Sequence, residues 1–124
     1  MALDFRSIGF GFGPVTGKEQ VLVGHVDFTL PVTRAQTFLT GFISEFDNGD
    51  HHIFAHNIIT SVDHIEDSKV FVKVNYLLRD DSGNIDDPYS GAVHVAVIAD
   101  TVPRKPPVVF VRAKKAARRK RSQR

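Results

Sequence analysis

Lys69-Val-Phe-Val-Lys-Val-Asn-Tyr-Leu-Leu78 is the stretch whose reading decides the fold. Val70, Val72, Val74, Tyr76 and Leu78 point one way, against Lys69, Lys73 and Asn75 on the other. Successive side chains of a strand alternate between faces, so this pattern predicts a strand buried on one side. Residues 92–99 repeat it with Val93, Val95 and Val97. Together the two segments nominate Val72, Val74, Val95 and Val97 as core residues.

Working outward, residues 21–30 place Leu22, Val26, Phe28 and Leu30 on one face. Residues 35–46 set Phe38, Phe42 and Phe46 against Leu39 and Ile43, apolar on both sides. Such a strand is expected at the centre of a sheet, covered on both faces. Residues 51–60 form a further strand with Phe54 and Ile58 on one face and Ile53 and Ile59 on the other. Asn48-Gly49 within residues 47–50 gives a hairpin signal, and residues 80–84 and 86–88 read as turns. Gly9-Phe10-Gly11-Phe12-Gly13 reads as a first strand with both rings on one side and its glycine face against another backbone. No helical stripe occurs in the first hundred residues. The expectation is an all-β, antiparallel sandwich of about six strands over residues 1–102, then a Pro-containing hinge and basic arm over 103–124.

The 124 residues carry a net charge of only +2, which conceals a strong asymmetry. All 14 acidic residues lie at or before Asp100, beside six basic ones, leaving that body at −8. Ten basic residues and no acid follow, so the arm stands at +10. Arg112, Lys114, Lys115, Arg118, Arg119, Lys120, Arg121 and Arg124 are the candidate polyanion-binding set, suited to phosphates or to an acidic protein surface. No aromatic interleaves with them, so base stacking is not indicated. Residues 108–111, Val-Val-Phe-Val, form a short apolar patch within the arm.

Cysteine is absent, which removes disulfides and thiolate chemistry. The N-terminus has no apolar run of signal-peptide length, and the chain is expected in the cytoplasm or assembled in a particle, without a membrane. His52 and His56 have the spacing of ligands on a helix, but a four-residue step along a strand is about 13 Å, too far for one ion. Asp80, Asp81, Asn84, Asp86 and Asp87 offer oxygen atoms to calcium, without the spacing of a twelve-residue calcium loop. Gly9, Gly11 and Gly13 lack the Gly-Lys-Ser/Thr of a phosphate loop, and Ser44, Ser61 and Ser90 lie outside any nucleophile-elbow motif. The reading is a protein that is not an enzyme and takes neither cofactor nor metal.

Between Gly24 and Asp100 the chain resembles the H-type lectin domain. The matching pieces are His25-Val-Asp-Phe-Thr-Leu-Pro31, Phe38-Leu-Thr-Gly-Phe-Ile43, the strand 69–78 and Tyr89-Ser-Gly-Ala-Val-His-Val-Ala-Val-Ile98. The resemblance implies a six-stranded antiparallel sandwich that trimerises, with Asp50, His51, Arg79 and Tyr89 nearest to a carbohydrate site. The chain departs from that family in having no Trp and no clear basic counterpart near residues 50–53. Two functions follow. One is a structural or assembly protein (a shell, virion or tail component) whose sandwich contacts other subunits and whose arm binds nucleic acid or an acidic neighbour. The alternative is an H-type lectin-like carbohydrate-binding protein. The expected state is a homo-oligomer, with Phe10, Phe12 and the strand 35–46 supplying apolar contact surface.

Overall fold

A computed structural model describes residues 2–16, 18–46, 53–80, 88–104 and 111. They form six strands: β1 (Ala2–Thr16), β2 (Gln20–Asp27), β3 (Val32–Phe46), β4 (Ile53–Glu66), β5 (Lys69–Asp80) and β6 (Pro88–Thr101). Two three-stranded sheets result, here called A (β1-β6-β3) and B (β2-β5-β4), and every pairing is antiparallel. The described fold is all-β.

The strands expected to be buried on one face are the two central ones. Val70, Val72, Val74, Tyr76 and Leu78 of β5 meet Val93, Val95, Val97 and Ala99 of β6 in one core, all of them effectively sealed from solvent. Phe10 and Phe12 of β1 and Val26 and Phe28 at β2 complete it. The expectation that Phe10 and Phe12 offer contact surface is thus corrected: they are core residues. Nor does the glycine face of β1 abut another backbone, since nothing lies within 4 Å of a Cβ built at Gly11 or Gly13.

Strand β3 departs further from its reading. It is an edge, because β6 takes the central place in sheet A. A bulge between Leu39 and Gly41 also slips the alternation. Register with β6 puts Leu39 opposite Val95 and Phe42 opposite Val93, facing inward, while Phe38 opposite Ala96 and Ile43 opposite Ala92 face outward. One extra residue reverses the phase of everything after it. Strand β4 runs past Thr60 to Glu66, keeping its alternation to Val62, where a register shift before His64 brings Ile65 opposite Val70.

Asn48-Gly49 lies outside the described residues, and the strands on either side of it, β3 and β4, belong to different sheets. Turn chemistry marks where a chain reverses, not which strand it pairs with on return. The tight hairpin is β4–β5, through Asp67 and Ser68. There Asp67 adopts φ 54°, a left-handed conformation that Asp tolerates better than most residues. The chain after β2 closes over that turn, with Phe28 N donating to Ser68 O and Val32 N to Asp67 O, each at 2.9 Å.

Gly91 is fixed by what crosses the core. A Cβ at this position would lie 2.1 Å from Ile43 O and 2.3 Å from the Tyr76 hydroxyl, so backbone or ring would have to move. Gly91→Ala is therefore expected to destabilise the fold by about 3 kcal/mol or more, the upper range for overpacking a core. Gly13→Ala, in open space, should change stability by less than about 1 kcal/mol. Urea denaturation of the two variants against the parent checks both.

Candidate interaction site

Among the described residues, a polar arrangement inside the body is built on Tyr76 and Tyr89. Tyr76 leaves β5 and reaches across to sheet A, where its hydroxyl donates to Ser44 Oγ at 2.6 Å, near the carbonyls of Ser90 (3.3 Å) and Ile43 (3.4 Å). Ser44 Oγ in turn lies 2.8 Å from His56 Nε2. The Tyr89 hydroxyl sits between the carbonyls of Lys18 and Tyr76, the latter at 3.1 Å. The two tyrosine rings pack at 5.5 Å, and Phe12 covers Tyr76 at 4.7 Å. Burial pushes both phenols above their ordinary pKa, so both remain protonated donors. Burial also lowers the pKa of His56, which favours a neutral imidazole in hydrogen-bond contact with Ser44. This chain of hydroxyls ties sheet A to sheet B at the β3 side, satisfying groups that would otherwise be buried unpaired.

Around this network the β3 side stays open. Phe38, Leu39, Phe42 and Ile43 are 47%, 43%, 49% and 62% exposed, although two face inward and two outward. The sheets are joined there by the Thr37–Thr60 hydroxyl contact at 2.9 Å and by Phe42 set edge-on to His56 at 5.1 Å. A groove of about 570 Å3 lies toward the other end of β3, lined by Leu3, Arg34, Phe38, Ile65, Ile98 and Asp100 among others.

Sheet B carries a different surface. On its outer face His25, Phe71 and His64 form one row, the His64 ring stacked on Phe71 at 4.2 Å and His25 tilted against it at 5.4 Å. His64 lies 2.8 Å from both Asp63 and Glu66, and these carboxylates raise its pKa. The sequence left His25 and His64 scattered because only strand register brings them together. The same end of the body holds the ion pairs Arg6–Asp4 (3.1 Å), Arg34–Asp100 (2.7 Å), Lys69–Asp27 (2.8 Å) and Arg104–Asp67 (2.9 Å). Lys69 holds Asp27, and Arg104 holds Asp67, below the usual carboxylate range.

Of the carbohydrate candidates, Arg79 lies on β5 with its Nε buried and without a hydrogen-bond partner, and Tyr89 is sealed in the core as described. Asp50, His51 and His52 lie outside the described residues, as do the acids at 81–87 and the arm set Arg112, Lys114, Lys115, Arg118, Arg119, Lys120, Arg121 and Arg124. Among the described residues no group of three or more His, Cys, Asp and Glu is arranged to hold a metal ion, and no helix is long and apolar enough to cross a membrane. No family model, curated protein or solved structure matches this chain.

The two best-defined histidines should titrate in opposite directions. His64 gains carboxylate partners on folding, so its contribution is full below the ordinary value of 6.5 and is lost as pH rises through its raised folded pKa. His56 is desolvated, so its contribution is intact above 6.5 and is lost as pH falls through its lowered folded pKa. An NMR titration of the imidazole protons is expected to place His64 above 6.5 and His56 below it.

Proposed function

We propose that this chain is a non-enzymatic structural subunit of a homo-oligomeric assembly, such as a shell, virion or tail component. Its two-sheet body makes contacts between copies, and its arm binds nucleic acid or the acidic surface of a neighbour. The observation that carries this reading is the exposure of Phe38, Leu39, Phe42 and Ile43 on one edge strand. Each leaves on the order of 100 Å2 of apolar surface in water, worth roughly 2.5 kcal/mol if covered. Four such side chains on each copy are comparable with the 4–15 kcal/mol or more that association costs, which isolated surface residues would not be.

The arm fits the same reading. Its first basic residue, Arg104, already rests on a body carboxylate, Asp67. Eight more follow Pro106-Pro107, in a chain whose body carries a net charge of −8. Truncation after Val111 is expected to abolish nucleic-acid binding while the β-sheet circular dichroism persists. The log affinity of the full chain should fall linearly with log salt, by roughly 0.9 per duplex phosphate contacted. If neither form binds DNA or RNA, yet truncation dissociates the assembly, the acidic neighbour is the arm's partner.

One observation favours a second reading, a lectin-like carbohydrate-binding protein. Arg79 Nε has no acceptor among the described residues, leaving a donor that a polar ligand such as a sugar hydroxyl could engage once the side chain turns outward. The segments 47–52 and 81–87, which contain Asp50 and His51, join strands at the end where Arg79 lies. Glycan-array binding that is lost in Arg79→Ala would support this reading, and an empty array at high protein concentration would remove it.

A further inference from the structure

An antiparallel sheet with one face on a core and one in water is expected to be polar on the water side. The outer face of sheet B follows that rule in part: Asp27, Glu66, Lys69, Lys73 and Arg79 are spread along it among apolar residues. Sheet A does not. Register assigns its outer face the rows Phe5-Ile98-Gln36, Ser7-Ala96-Phe38, Gly9-His94-Gly41 and Gly11-Ala92-Ile43. None of these rows contains an Asp, Glu, Lys or Arg. The charged groups sit beyond them at the two ends, where Arg34 and Asp100 neutralise each other at 2.7 Å and Glu45 lies opposite Ser90.

We propose that this face packs against the same face of a second copy, related by a two-fold axis. The inference rests on the assembly reading and names the surface used. Leu3 (64% exposed), Phe5 (59%), Phe38 and Ile43 stand out from the face as knobs. Between them the backbone is nearly bare: a Cβ at Gly11 or Gly41 would meet nothing within 4 Å, so no contact inside the subunit calls for glycine there. Glycine within a strand weakens it and marks a place where another group approaches closely. Protrusions and recesses on one surface are what an isologous contact needs, because each copy must supply both. The face measures about 40 Å by about 15 Å from strand spacing and rise, roughly 600 Å2 a side. A pair would bury about 1,200 Å2, the lower bound for a specific interface, with an uncharged centre and charged rim as such interfaces have.

The test uses the full chain and substitutions that the subunit can accept. Gly11→Arg and Gly41→Arg place a long charged side chain in open space on this face, while Asn57→Arg does so on the exposed outer face of sheet B. Native mass spectrometry and light scattering at micromolar concentration are expected to give an even-numbered oligomer for the parent and for Asn57→Arg. Either glycine variant should raise the dissociation constant about 30-fold or more, with an unchanged circular dichroism spectrum. A parent oligomer that survives both glycine substitutions, or one with three copies, overturns the two-fold face contact and leaves the assembly reading standing. A parent that is monomeric overturns both.

Discussion

Tyr76 lies across the body with its hydroxyl against the backbone of the opposite sheet, and the rest of the structure is arranged around that contact. Only a glycine at position 91 lets the ring come so close, and only a hydroxyl at Ser44 gives the phenol a side-chain acceptor. Tyr89 and Phe12 then pack on the ring, and the valines of β5 and β6 meet at the spacing that this crossing sets. A β-branched core alone would be apolar and non-directional, leaving the sheets free to slide. The tyrosine contacts fix which residue of β5 stands over which residue of β6, since a displaced ring would lose its acceptors and collide with a side chain.

What the sequence made legible is the part governed by alternation. Residues 69–78 and 92–99 named the two central strands and their buried faces, because a strand covered on one side leaves a period-two trace that nothing interrupts. Strand β3 was misread for the opposite reason. Its Leu39–Gly41 bulge adds a residue without any distinctive composition, and its apolar character on both sides reads as burial when the monomer in fact leaves both sides exposed. Phe10 and Phe12 were read as surface, because the glycines alternating with them lend the segment no polar face against which burial could be judged. Of the site, the Ser44–His56 and His25–Phe71–His64 groupings were invisible, since each joins residues that only pairing between strands brings together.

The division of charge has a physical counterpart in the fold. Carboxylates and their basic partners gather where β6 ends, so the chain leaves the body from the end that holds Asp27, Asp67 and Asp100. Exposed pairs of this kind contribute little stability singly. Their effect is to position: Arg104 on Asp67 and Val102 N on Pro31 O direct the chain across that end of the body, away from the outer face of sheet A.

Four of the six strands are edges, and a sheet edge is a template for unlimited growth. Here β1, β3 and β4 are each broken by at least one register shift, and β2, the edge whose pairing is continuous, is the shortest strand at eight residues. A bulged edge twists out of line with any strand laid beside it, and a short one offers too few hydrogen bonds to hold a stranger. Main-chain addition, the route to fibres, is thereby hindered at all four positions. Any association is then left to side chains, whose shapes match in a limited number of orientations, a geometry that favours closed contacts over growth that lengthens with supply.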